Sequence, residues 1–220
     1  MTTAHLFQLA DSGFPVGGYA FSSGLEAAAQ LPALRTPQGL ADYIRLYIQQ
    51  LVQGDWPFVR ASWFANSATK GADIVQQYDA YCLGPATRHT SLMLGQNFMR
   101  LLQDLHKDIL GSLYQQWREQ KLAKHFAPLF GQTLRALGAD ERQVFDLMTF
   151  CAIRDQFSAA IRLGLIGPLA ASKRQLAMIA EIDAIYQSAP TEIAMATRPV
   201  PFIEMMQLCQ PHLYSRLFQS

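Results

Sequence analysis

Gly13 and Gly18 bracket the stretch GFPVGG, with the four-residue gap that a phosphate-binding loop uses to aim backbone amides at a nucleotide. That chemistry next needs a lysine and a hydroxyl that can hold magnesium, and Tyr19 and Ala20 stand there instead. The preceding LFQLADS reads as helix rather than strand, so the cradle lacks its charge, its hydroxyl and its context. Metal chemistry has a single short pairing, the C-x-x-H spacing of Cys209 and His212, while His5, His89, His106 and His125 are scattered. Two ligands do not close a structural zinc site, which leaves Cys209 and His212 as weak metal candidates and implies no resident cofactor. Hydrolysis would start from Ser22 or Ser23, but no nucleophile-elbow pattern surrounds either, and a serine before Gly-Leu-Glu is more often a helix cap. No catalytic residue is expected.

Bulk properties narrow the field in the same direction. Eighteen Lys and Arg face seventeen Asp and Glu across 220 residues, a formal charge of +1, so no electrostatic footprint for nucleic acid or an anionic membrane is present. Half the residues are hydrophobic, enough for a sizeable core, and no uncharged apolar run reaches the roughly 20 residues that span a bilayer. Three cysteines (Cys82, Cys151, Cys209) are too few and too widely spaced for a disulfide framework. With no basic region leading into a long apolar stretch at MTTAHLFQLADS, the expectation is a soluble cytoplasmic protein.

The elements that must position any site read as helices, one after another. TPQGLADYIRLYIQQLVQG carries a capping Thr36, Pro37 in the first turn and Leu40, Tyr43, Ile44, Tyr47, Ile48, Leu51 and Val52 on one face before Gly54. Further apolar-periodic segments fall at about 56–68, 73–83, 85–110, 112–122 and 126–137. Asp140 caps another, with Val144, Leu147, Met148, Cys151 and Phe157 on its stripe, and after Gly164, Gly167 and Pro168 a last long helix runs to about Gln187. Strict two-residue alternation in β-branched clusters is nowhere seen. The chain is expected to be all-α, a single bundle-like domain over 1–220 with short connections, an irregular loop at 12–26 and a proline-rich, apolar tail at 190–220. The charge pairs Arg154-Asp155, Lys173-Arg174 and Arg118-Glu119 read as solvated helix faces.

The loop is the irregular part. Pro15 and Gly17-Gly18 predict a tight turn, and Ser23-Gly24-Leu25-Glu26 has the spacing of a capping box that starts a short helix. Phe14, Tyr19 and Phe21 must be either tucked inward or offered outward, so the loop is a shaped surface in either case.

Several stretches spread from end to end resemble the urease accessory protein F family. LFQLADSGFPVGGYAFSSGLEAA is similar to its N-terminal signature at Leu9, Pro15, Val16, Gly17, Ser22, Gly24, Leu25 and Glu26. RHTSLMLGQNFMRLL keeps Arg88, Ser91 and Gly95, and HFAPLFGQTLRALG resembles the segment that follows. AAIRLGLIGPLAASKRQL matches an Ala-x-Arg-Leu and Leu/Ile-Gly pattern, and HLYSRLFQS resembles the closing His-x-x-x-Arg-Leu-Phe-x-Ser, at His212, Arg216, Leu217, Phe218 and Ser220. Three positions depart: Ala86 and Thr90 where members commonly carry glutamate, and Pro168 where Gly-Gln is usual.

The resemblance implies a non-enzymatic, all-helical, dimeric scaffold. It would bind a second accessory protein of the H or D type partly through the C-terminal tail, recruit the nickel-carrying accessory GTPase, and dock on urease apoprotein, with nickel passing through the complex. A helical adaptor of the same fold serving a non-urease partner is the alternative that Ala86 and Thr90 raise. Partner contacts are expected in the loop at Phe14, Pro15, Gly17, Gly18 and Tyr19, then at Ser22, Gly24 and Glu26. In the tail they are expected at His212, Tyr214, Arg216, Leu217, Phe218 and Ser220, with Leu213 and its neighbours ordering on the second accessory protein and lying loosely without it. Arg88 and Arg216 are the candidates for reaching the GTPase in trans.

Overall fold

The computed structural model describes residues 1–219. Its elements are α-helices joined by short 3₁₀ turns, with no strand among the described residues, so the fold is all-α. In order they are α1 (Thr3–Ala10), α2 (Leu25–Ala28), α3 (Pro37–Gly54), α4 (Trp56–Phe64), α5 (Ala68–Tyr81) and α6 (Pro85–Leu105). These are followed by α7 (Lys107–Glu119), α8 (Phe126–Ala136), α9 (Glu141–Arg162), α10 (Pro168–Ile179), α11 (Ile182–Ser188) and α12 (Pro201–Cys209). No helix among them is long and apolar enough to cross a membrane.

The helix starts follow local chemistry. Thr36 Oγ1 accepts the Gly39 amide at 3.0 Å with Pro37 in the first turn of α3, and Ser67 caps α5 in the same way. At α9 a complete capping box forms: Asp140 accepts from Gln143 N at 2.8 Å and the Gln143 side chain accepts from Asp140 N at 3.1 Å. Such caps satisfy amides that the first helical turn leaves without partners.

The core lies around α8 and α9. Every residue of α8 from Ala127 to Leu134 is buried, and α9 buries residues from Val144 to Ala160, so both are enclosed by the others. Gly131 lets α8 come up against α4: a Cβ there would lie 2.2 Å from the Val59 carbonyl oxygen. Trp56 meets Phe145 edge-on at 4.8 Å between ring centres, and Phe98, Phe126 and Phe130 form a second aromatic group.

Two of the expected helices are broken. The segment expected at 85–110 ends at Leu105, because His106 leaves helical geometry (φ −133°, ψ 42°), and α7 starts there rather than at 112. The carbonyl of His106 accepts from Ile109 and Leu110, which restarts the helix in a new direction, and its ring packs edge-on against His5. The last long helix likewise divides at Ala180 and Glu181 into α10 and α11. The tail is also more regular than expected, since α12 occupies its middle.

Candidate functional site

The loop and the tail meet. Glu26, 5% exposed, accepts from Leu217 N at 2.6 Å, Phe218 N at 3.2 Å and Gln210 Nε2 at 2.6 Å. The other end of the Gln210 amide accepts from Ser22 Oγ at 3.1 Å and from Ala27 N at 3.2 Å. Ser22 Oγ in turn accepts from Glu26 N at 3.3 Å, and the Ser22 carbonyl accepts from Gln156 of α9. Ser22, Gln156 and Gln210 are all fully or almost fully buried. Gln219 N donates to the Ala20 carbonyl at 2.8 Å, pairing the two ends of the chain through an isolated parallel bridge with Phe21.

This network corrects the capping-box expectation. The short helix α2 begins at Gly24 without a side-chain cap, Ser23 takes a left-handed backbone (φ 50°), and the Glu26 carboxylate serves the tail instead. Ser23 Oγ accepts from Tyr47 OH at 3.4 Å. The tail expectation is corrected as well: Phe218 is 4% exposed and docked on the chain's own loop. Gly24, at φ 91°, does permit a close approach, but by the chain's own α12, since a Cβ there would lie 2.9 Å from Gln207 N.

Helix α9 anchors the other side of the loop. Arg162 donates to the Tyr19 carbonyl, and its guanidinium stacks over the Phe218 ring at 4.1 Å and the Tyr19 ring at 5.6 Å. Arg154 donates to Asp155 and to the carbonyl of Ala10 at the end of α1, so Arg154-Asp155 is a half-buried clamp and not a solvated face. A Cβ on Gly18 would strike Asp155 Oδ2 at 2.8 Å, and Gly17 supplies the positive φ of 94° that the turn requires. Desolvation raises the Asp155 carboxyl above the usual carboxylate range.

The joint leaves one set of side chains outside. Tyr19 is 57% exposed, Leu217 61% and Tyr214 fully exposed. Pro15, His212 and Arg216 are exposed too, whereas Phe14 is half-buried. Cys209 and His212 are both exposed, and no third metal-type ligand joins them among the described residues. Ser220 lies outside the described residues.

A second constellation was not legible in the sequence. His125, with no exposed surface, sits just before α8, with Nε2 at 2.7 Å from Asp79 Oδ1 and Nδ1 at 3.1 Å from Ser91 Oγ. Ser91 Oγ also accepts from Phe126 N at 3.1 Å, and Arg88 pairs with Asp79 at 2.8 Å. Gly95, one turn beyond Ser91, lets α6 lie against the backbone at Lys124 and His125. These groups come from three helices and a connecting segment, so no spacing motif announces them.

Burial lowers the His125 pKa below the usual histidine value, outweighing the attraction of Asp79. A group held below its unfolded-state pKa contributes stability above that unfolded value and loses it as pH falls. The melting temperature is therefore expected to carry a component that declines as pH drops below about 6.5. In His125→Gln that component should vanish, so melting curves from pH 7.5 to 5 for the two proteins should diverge in slope; parallel profiles would contradict it.

A cavity of about 220 Å³ opens between α6, α8 and α9 and the N-terminal loop. Ser91, Phe98, Phe126, Phe130, Leu147 and Asp155 are among the residues that line it. Ala86 and Thr90, the two departures noted in the sequence, also line it.

The UreF family model matches residues 34–179, the helical middle of the chain. Similarity to individual proteins runs further, into both terminal stretches. Urease accessory protein F from Oryza sativa subsp. indica is 30% identical over 223 residues, covering 96% of this chain and 83% of the relative. Urease accessory protein F from Arabidopsis thaliana is 29% identical over 232 residues, covering 97% and 91%. Urease accessory protein UreF from Trichodesmium erythraeum (strain IMS101) is 22% identical over 221 residues, covering 98% and 95%. Matched through its core helices and along nearly its whole length, this chain belongs to the urease accessory protein F (UreF) family.

Proposed function

We propose that this chain is a docking scaffold for urease maturation, acting through surfaces and not through turnover of a substrate. Family membership supports the role in urease maturation, and the near full-length similarity to proteins named as urease accessory factors carries it. The finer reading follows from the resemblance of the terminal motifs. The loop and tail together receive a second accessory protein of the H or D type, the assembly forms on a homodimer of this chain, and the nickel-carrying GTPase and urease apoprotein join it. Nickel is cargo of the complex and not a resident cofactor. A cytoplasmic setting suits the three free cysteines.

The chemistry of the joint supports the loop and tail as the docking face. Tyr19, Tyr214 and Leu217 project from a backbone held by Glu26, Gln210 and Arg162, and aromatic side chains on a rigid base lose little entropy when they are covered. Arg88 is engaged by Asp79, which leaves Arg216, exposed on the tail, as the better placed of the two arginines to contact the GTPase.

The test uses substitutions that the fold tolerates. Tyr214→Ala with Leu217→Ser trims two mostly exposed side chains and leaves the Leu217 amide bond to Glu26 in place, so the melting temperature should change little. Capture of the second accessory protein should fall by about tenfold or more, the loss expected when interface anchors are truncated. Unchanged capture would remove the loop and tail as the docking face. Failure of the wild-type chain to associate with the second accessory protein, the GTPase and urease apoprotein would remove the urease role itself and turn attention to the adaptor reading.

A further inference from the structure

Hydrogen-bond accounting around Ser91 fixes where its proton points. Ser91 Oγ already accepts the Phe126 amide, and His125 Nδ1 is 3.1 Å away. Asp79 can only accept, so the His125 Nε2 that faces it at 2.7 Å carries a proton, and a neutral ring then has Nδ1 free to accept from Ser91. The order Asp79–His125–Ser91 is that of a carboxylate orienting an imidazole base beside a hydroxyl. Burial keeps the ring neutral at ordinary pH, as a base requires.

Two more observations give this group somewhere to act. Ser91, Phe126 and Ala127 all line the cavity, beside apolar Leu94, Phe98 and Phe130 and the uncharged hydroxyls of Thr87 and Thr90. Phe126 and Ala127 open the 11-residue helix α8, so their amides belong to the first turn, where no intrahelical acceptor exists and partial positive charge gathers. The Phe126 amide is taken by Ser91, so a carbonyl oxygen presented to Ser91 from the cavity would meet the Ala127 amide.

We propose that Ser91 is an acyl-acceptor site for small, uncharged, activated esters that enter this cavity. The Ser91 oxygen bonds to the ester carbonyl carbon while the carbonyl π pair moves onto its oxygen, and the hydroxyl proton passes to His125 Nδ1. The Ala127 amide takes the developing oxyanion, the Phe126 amide staying on the Ser91 oxygen. Collapse breaks the bond to the leaving alkoxide, which departs with the bonding pair and takes the proton from His125, giving acyl-Ser91 and an alcohol. Asp79 is a positioning residue, holding the ring in the tautomer that accepts. This reactivity is separate from the docking role, and either can fail without the other.

The experiment exposes the full chain to p-nitrophenyl acetate and, separately, to a small alkyl fluorophosphonate. The readouts are intact mass, peptide mapping and released nitrophenolate. The expected result is one adduct, mapped to Ser91 in the wild-type protein and absent from Ser91→Ala. Asp79→Asn should label about tenfold or more slowly, the usual scale for a misoriented base, with its fold confirmed by circular dichroism. The wild-type labelling rate should rise with pH through the His125 titration and then level off. A wild-type chain that takes no adduct, or takes it on another residue, overturns the proposal and leaves Ser91 as an anchor for Phe126. Mapping is done on the wild-type protein, so the site of labelling is decided even if the Ser91→Ala chain fails to fold.

Discussion

Glu26→Ala is expected to lower unfolding free energy by about 3 kcal/mol, the scale for leaving several buried donors without an acceptor. Three donors lose their acceptor at once: Leu217 N, Phe218 N and Gln210 Nε2. The damage extends to Ser22 and Ala27, since Gln210 holds both with its other end and is itself held by Glu26. Urea unfolding measures the loss, and amide exchange should show Leu217 and Phe218 opening long before the helical core. Glu26→Gln keeps the shape and one acceptor oxygen while turning an amide donor on the remaining partners, so it should fall between the two. A loss below about 1 kcal/mol for Glu26→Ala, the worth of one ordinary hydrogen bond, would mean that the tail does not depend on this carboxylate.

The second large effect is steric. Gly95→Ala would place a Cβ 1.9 Å from the Lys124 carbonyl oxygen and 3.0 Å from the His125 carbonyl carbon. Helix propensity alone favours alanine by about 1 kcal/mol, but the obstacle is backbone, which cannot rotate aside as a side chain would. Crowding wins, and a net loss of about 3 kcal/mol or more is expected, near the upper end for overpacked interiors. Displacing Lys124 and His125 also pulls His125 from Ser91, so labelling at Ser91 should fall in parallel. Gly111→Ala is the matched control: it also lies inside a helix, but nothing stands within 4 Å of its Cβ, and the substitution should stabilise by about 0.5–1 kcal/mol. Thermal and urea unfolding of the pair separates propensity from fit. Equal and opposite effects of similar small size would show that α6 can shift to make room.

What the sequence made legible was local. Thr36 with Pro37, and Asp140, announce helix starts, and the structure has the capping bonds, from Gly39 N to Thr36 and from Gln143 N to Asp140. Apolar spacing likewise shows the faces of α3 and α9, and with them the all-α class. His106 marks the limit, because nothing near it in sequence is a strong breaker, and the change of direction is accompanied by packing against His5, a hundred residues away. Glu26 shows how a correct spacing can mislead. The Ser23 to Glu26 interval fits a capping box, but a buried carboxylate goes where most donors converge, and those donors lie 184 to 192 residues further on. Arg162 belonged to a motif already noted, yet its part in clamping Tyr19 and Phe218 emerges only once α9 is laid across both ends. Asp79, Ser91 and His125 had no shared pattern to read, since their meeting depends on how three helices pack.

The pairing of Ala20 and Phe21 with Gln219 has a bearing on how the molecule is made. During synthesis residues 12–26 emerge long before the groups that complete their shape, which follow 191 and 192 residues after Glu26. Closing a span of that length is a late step, costly in chain entropy and reached only after the intervening helices have condensed. A product terminated ahead of Leu217 would carry most of the hydrophobic core yet no finished joint, so any partner that reads the joint would in effect pass it over.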